Sequence, residues 1–554
     1  MKNSKNIIIS FGLFLLVGCT NDLNTEPKVQ ITLEQLLAKD PNAITGLLSK
    51  SYGAFALSGP DGPGSSDISD DPGESPFLRG IINLQDFTAD GMKNRWGDNG
   101  LDQLTTTSNW DNNNKFFRYL YNRVFYTVPQ CNNTISVINS ANVPNKDQYI
   151  SELRFLRSLA YYYYIDCFGK GVLVTEADAG SSVPLKESSR LELFTFVEKE
   201  LLDIENKLPA NNDYGRANKS VARMLLAKLY LNAEVYSGTA RYNDALIYIK
   251  KVIDEGGYKL AANYQSLFSG DNNSSDAKNE IIYALIADPV VSQSYGNTTY
   301  IVNGSLNAET MTLSDYGATD GWGGHRATKA WYGLFGNNAA ELSASPDDRA
   351  HLFWTTGHTF EMTNYKTWGD GYPSTKYRNS NFVGTSVPTA FSGTDFPLYR
   401  LADAYLIYAE CVVRGATSGT NAQALQYVNA VRTRSHATPL TSLTLNDIID
   451  ERGRELNLEG QRRTDLIRFG KFTGGSYLWP WKGGVAGGVA IPATYNLFPI
   501  PLDEQQLFKM HFALAESEAG TTKYEKGPFR IVLPKKANFE QMEIWYREDK
   551  RHNP

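Results

Sequence analysis

At 554 residues the chain is long enough for more than one ordinary domain, or for one large unit built of helical repeats. It carries 54 basic and 60 acidic residues for a formal charge of −6, with no long Lys/Arg block, which argues against nucleic acid or anionic headgroups as the principal partner. The 32 tyrosines suit either sugar- or peptide-facing aromatics or packing inside tyrosine-rich helices.

Lys2 and Lys5 precede an apolar run from Ile7 to Val17, too short to cross a bilayer as a stable helix and suited to a secretion signal over residues 1–18. The run ends in Leu16-Val17-Gly18-Cys19, which looks like the lipobox of bacterial lipoproteins, with the Cys19 thiol as acceptor of the diacylglyceryl group. Each buried methylene contributes about 0.8 kcal/mol, so several acyl chains would tether the mature chain to a membrane that it does not span. Cys131, Cys167 and Cys411 fall in helix-like segments and read as buried thiols, with one bridge left open.

Helical spacing follows over Leu33 to Phe55, over Asn114 to Ile138, and over Tyr149 to Phe168, where Gly169 stops the helix. Another helix is expected from Ser189, ending before Pro209. Residues 218–257 predict two amphipathic helices joined by a Gly-containing turn, and residues 401–435 repeat the pattern. Ala245, Leu246, Tyr248, Ile249 and Val252 match Ala424, Leu425, Tyr427, Val428 and Val431. Small residues where helices touch are what a tetratricopeptide-type pair needs, and with the earlier helices they suggest about four units. Helices are thus expected over about 33–56, 114–256 and 400–470. Between them, 57–113 and 258–398 lack helical pattern, are rich in Gly, Asp, Asn and Ser, and hold six of the nine tryptophans. Long irregular insertions on a rigid frame are usually functional, and the tryptophans argue against disorder.

No HExxH, GxSxG or GxxxxGK[ST] motif is present. His351 and His358 bracket an aromatic pair and are poor candidates for metal ligands. Glu451, Glu455 and Glu459 have i, i+4 spacing and could be mistaken for catalytic carboxylates. Arg452, Arg454, Arg462 and Arg463 around them predict ionised, structural groups instead. Asp271, Asn273 and Ser275 begin like a calcium loop, but Asp276 and Ile282 stand where Gly and Glu belong. Asp67, Asp70, Asp71 and Glu74 make a better cluster for a hard cation, against the ordinary reading of a solvated acidic loop. No cofactor is expected beyond a structural calcium of this kind.

The aromatics carry the strongest signal. A sugar presents apolar C–H faces and hydroxyls, so its site needs flat rings flanked by groups that fix orientation. NRWGDNG supplies this around Trp96, GATDGWGGHR at Asp320, Trp322 and Arg326, and YKTWGDGY at Trp368 and Asp370. Each of these tryptophans precedes a glycine, which lets backbone pass beside the ring without covering its face. Trp479 and Trp481 suit an interface or the core equally.

The chain resembles the SusD/RagB family of outer-membrane nutrient-binding lipoproteins, in DLNTEP after Cys19, ELRFLRSLAYYYYIDCFG, FPLYRLADAYLIYAECVVRG, YVNAVRTRS, ERGRELNLEGQRRTDLIRFGK and LFPIP at 497–501. The resemblance implies a mainly α fold: a tetratricopeptide-like right-handed superhelix over one unit, residues 19–554, with an irregular ligand-binding lobe and a few short strands. It implies a surface-exposed, outer-membrane lipoprotein that receives polysaccharide or oligosaccharide and acts as the lid of a SusC-like TonB-dependent transporter. Carried onto this sequence, it makes Trp96 and Trp322 the platforms, Tyr300 or Tyr295 a third wall, and Arg95, Asp98 and Asn99 hydrogen-bonding neighbours, with Trp368 a further candidate. The tail after about 505 departs from the family pattern. Two other functions stay open: a glycoside hydrolase, which needs carboxylates about 5 to 9.5 Å apart such as Asp98 with Asp320, and peptide capture within the same family.

Overall fold

The computed structural model describes residues 33–68, 71–178 and 185–503. The secretion signal, Cys19, Asp70 and the tail beyond 503 lie outside them. Among the described residues no helix is long and apolar enough to cross a membrane.

The protein is mainly α. The frame begins with Ile44–Ala56 and continues through Lys115–Ser140 and Lys146–Cys167, two long helices packed together. Asn114 starts the first of these by accepting from the Phe116 amide at 2.9 Å, and Gly169 at φ +80° follows the end of the second. Arg190–Ile204 starts on a capping box, in which Ser189 and Glu192 each satisfy the other's backbone amide. The two pairs expected from their alanines are present, Lys219–Leu231 with Tyr242–Glu255 and Leu401–Val413 with Asn421–Arg434. Ala245 and Ala424 are completely buried, and the Tyr242–Glu255 helix packs on Leu401–Val413 to join one pair to the next. Cys131, Cys167 and Cys411 are buried free thiols, so the bridge that the sequence left open does not form.

Among the described residues six short strands pair antiparallel in twos: β1 (Met92–Asn94) with β5 (His325–Ala327), β2 (Gly171–Val172) with β3 (Glu187–Ser188), and β4 (Ile281–Leu285) with β6 (Phe396–Arg400).

The stretch 57–113 is less irregular than its composition predicts. A short helix, Phe77–Ile81, runs directly into a π-helix, Ile82–Phe87, and every residue of both is buried. A segment enclosed on all sides has no polar face, so the period that marks a surface helix is missing from its sequence. Several of its polar groups are nonetheless paired. Gln85 donates to Asp166 at 2.7 Å and accepts from the Thr464 hydroxyl at 2.9 Å, while Asp86 accepts from the amides of Leu458 and Gly460 at 3.1 and 2.9 Å. Burial outweighs those two hydrogen bonds and pushes the Asp86 carboxyl up to about 7.

The Glu451/Glu455/Glu459 ladder is buried and structural, as its surroundings predict, but its main partners come from earlier and more distant parts of the chain than expected. Arg349 bridges Glu451 and Glu455 at 2.8 and 2.7 Å. Arg400 bonds Glu455, Glu459 and Glu280 at 2.6, 2.7 and 3.0 Å, and Arg434 reaches Glu280 and Glu455. Of the four neighbouring arginines, Arg454 alone pairs with the ladder, at Glu451. Arg452 pairs with Asp403 and Asp465, Arg462 with Asp90, and Arg463 donates to the Asn496 carbonyl. Burial alone would raise the Glu455 carboxyl. Arg434, Arg400 and Arg349 instead hold it far below the usual carboxylate range.

Candidate functional site

Trp96 and Trp322 come together because of the β1–β5 ladder. In its register Asn94 faces His325, so Trp96, two residues past the end of β1, and Trp322, three residues before β5, lie at the same end of the antiparallel pair. Their ring centroids are 6.2 Å apart with planes inclined at 55°, and the Trp96 indole N–H donates to the Trp322 carbonyl at 3.2 Å. Both rings are half-buried, each with one side packed on the core.

Helix-end chemistry holds the second loop. The last carbonyls of a helix have no partner within it. Those of the Thr298–Ser305 helix and its C-cap accept from the loop: the Trp322 amide donates to Asn303 at 2.7 Å, Gly324 to Gly304 at 2.8 Å and Gly323 to Leu306 at 2.7 Å. Gly324 has a steric role beside this, because a Cβ there would stand 2.5 Å from Trp96 Cζ2 and Nε1. The Trp96 loop is fixed as firmly. Its amide donates to Asn94 Oδ1 at 3.0 Å, its carbonyl accepts from Lys366 Nζ at 3.1 Å, and Arg95 donates to the Gly323 carbonyl.

Beneath the platform the structure corrects two expectations. Tyr300 is completely buried and cannot form a third wall. Its hydroxyl donates to Asn83 of the π-helix at 2.6 Å, and its ring lies 5.8 Å from Trp96 and 4.4 Å below the Arg79 guanidinium. Tyr300 therefore supports Trp96 from inside and ties it to the frame. Arg326, expected to orient ligand beside Trp322, is likewise buried and donates to the carbonyls of Gly324, Tyr365, Thr367 and Asp370. Burial and the nearby Arg95 push it down to about 9.

Tyr295 is exposed and packs on Phe391 at 4.9 Å, and no ring contact joins it to either tryptophan. Asn99 is exposed and Asp98 half-buried, and among the described residues neither side chain makes a hydrogen bond. Trp368 is half-buried, 5.8 Å from the guanidinium groups of both Arg95 and Arg326, and donates to Thr310 at 3.3 Å. Asp320 is exposed. The proposed cation clusters are committed elsewhere: Asp67 pairs with Arg123, Glu74 with Lys115, and Asp271 accepts from the amides of Phe382 and Val383.

Sequence reading missed His325. It is completely buried, 5.0 Å from Trp96, 4.6 Å from Tyr300 and 4.7 Å from Phe87, and neither ring nitrogen has a hydrogen-bond partner. Burial, with Arg79 and Arg326 nearby, holds its pKa well below 6.5, so the ring is neutral in the folded protein. The unfolded chain then binds one more proton than the folded chain below about 6.5, and stability falls as pH drops by up to about 1.4 kcal/mol per unit. His325→Leu removes this term. The melting temperature of the wild type relative to the variant is expected to fall between pH 7 and pH 5, and a constant difference would contradict a neutral buried ring.

With this geometry in hand, relatives decide the family. The chain is 31% identical to the Starch-binding protein SusD of Bacteroides thetaiotaomicron, over 88% of this chain and 94% of that protein. The chain belongs to the SusD family. A profile described as the SusD family matches residues 353–553 and so includes the segment after 505. SusD superfamily structures share the fold. A protein from Parabacteroides distasonis superposes with a TM-score of 0.65 at 20% identity, over 86% of this chain and 98% of its own. Surface glycan-binding protein A from Bacteroides thetaiotaomicron, solved in complex with laminarihexaose, gives 0.63 at 20% identity, over 85% and 98%. The tetratricopeptide-like frame of this SusD family member is thus that of its relatives.

Proposed function

We propose that this protein is a non-enzymatic glycan-binding lipoprotein, lipidated at Cys19 and held at the cell surface by the outer membrane. It receives a coiled, starch-like glucan and passes it to a TonB-dependent transporter that it covers. The observation that carries the ligand class is the 55° inclination of the Trp96 and Trp322 rings at 6.2 Å. Successive sugar faces of a flat ribbon-like polymer stay nearly parallel, whereas those of a coiled chain turn, and two inclined rings match the second. The starch-binding relative supports the same choice. Asn99, Asp98 and Arg95, on the Trp96 loop and exposed or half-buried, would meet hydroxyls, and Tyr295 and Trp368 are the exposed and half-buried aromatics available to a longer chain. Asp98 and Asp320 lack the apolar enclosure that a glycosidase general acid requires. Inclined rings also suit sugar better than an extended peptide.

Removing one platform is expected to cost about 2 kcal/mol, roughly thirtyfold in affinity. Trp96→Ala and Trp322→Ala should each abolish retardation in an amylopectin affinity gel with helical circular dichroism intact. Retention of wild-type retardation in both variants would remove the assignment, and release of reducing sugar from starch by the wild type would favour a hydrolase.

A further inference from the structure

A second cleft, of about 340 Å³, opens on the helical frame and shares no lining residue with the tryptophan platform. Its walls are the loop leading into the Lys219–Leu231 helix, the Gly256–Gly257 turn after Tyr242–Glu255, and the start of β4 with the residues just before it. The volume falls at the lower end of the roughly 300–1,000 Å³ typical of small-ligand pockets.

The lining has a definite chemistry. Tyr214 and Tyr258 contribute half-buried rings, and Asn211 and Asn279 exposed carboxamides whose side chains make no hydrogen bond among the described residues. Lys278 stands 5.3 Å over the Tyr214 ring and among the described residues forms no ion pair. The other cation, Arg216, is neutralised by Glu152 at 2.7 Å and Asp213 at 3.3 Å. One uncompensated ammonium is little for a phosphate-bearing ligand, and the apolar floor of Ile281, Ile282 and Ala284 is too small for a lipid chain. Aromatic rings beside amides that both donate and accept fit a neutral polyhydroxylated ligand.

We infer that this cleft is a second carbohydrate-binding site, sized for two or three sugar units and independent of the Trp96–Trp322 platform. A weak auxiliary site on the frame would hold a second stretch of a polysaccharide and raise the avidity of the protein for long chains over short ones.

The test is calorimetric titration of the mature protein with maltotriose, cellotriose and xylotriose. The Trp96→Ala/Trp322→Ala protein should still bind at least one of these at one site per chain. Adding Asn211→Trp, which fills the cleft from an exposed loop, or Lys278→Ala should weaken that residual binding by about tenfold or more. No residual binding to any of the three, or residual binding indifferent to both added substitutions, overturns the proposal. Wild-type binding that survives loss of both tryptophans unchanged but disappears with Asn211→Trp would instead overturn the platform and leave the cleft standing. Circular dichroism and melting temperature confirm that each variant is folded.

Discussion

Arg400→Leu is expected to lower the stability of the protein by about 3–5 kcal/mol, the cost of leaving a cluster of buried carboxylates one guanidinium short. Arg400 is almost wholly enclosed, and its guanidinium donates to Glu459, Glu455 and Glu280 and to the Glu455 carbonyl. Lysine offers a charge without the planar fork, so Arg400→Lys should fall between leucine and wild type. The urea midpoint reports the effect. A loss under about 1 kcal/mol, the scale of an exposed pair, would mean that water or rearrangement relieves the three carboxylates. The lattice joins the helix Leu445–Leu456, strand β6 and the residue preceding β4, so the variant tests whether buried charge holds the lobe to the frame.

Gly324→Ala is expected to impair sugar binding about as severely as loss of Trp96, by at least roughly tenfold, although no ligand-facing side chain changes. The added methyl would stand 2.5 Å from two atoms of the indole, and the backbone there cannot retreat because it is bonded to Gly304 on one side and to the Arg95 amide on the other. The ring must therefore swing out of its inclination to Trp322. Overpacking of this kind costs about 1–3 kcal/mol in stability, too little to unfold the chain, so retardation in amylopectin should fall while helical circular dichroism persists. Undiminished retardation would show that binding does not depend on the angle between the rings.

The frame was legible in the sequence because its helices carry an apolar stripe, capping residues and paired alanines, all of which are local. Three Gly-flanked tryptophan loops were legible in the sequence, the choice of Trp96 with Trp322 among them came from the family resemblance, and the β1–β5 register brings those two together. What sequence could not show is which neighbouring aromatics face outward. Tyr300 precedes Ile301 and Val302 on a short helix buried all round, which hides its direction, whereas Tyr295, five residues earlier, is exposed. Arg326 likewise follows a solvent-facing loop by only a few residues, yet β5 turns it inward. The π-helix left no signal, because the polar residues that link it to Tyr300, Asp166 and the 458–460 turn read as those of a loop.

The three-residue ladder between β1 and β5 joins residues 231 to 235 positions apart in the chain, whereas each helical pair closes within a few dozen. Contacts of such long sequence separation form late, since the entropy of closing the intervening chain must be overcome first. The early helices can collapse on one another before the segment around residue 327 docks, and the proposed binding face does not exist until it does. The same ladder is short enough to open before the frame does. A preparation can therefore be helical, monodisperse and inactive, and sugar binding is a more stringent measure of complete folding than any spectroscopic one.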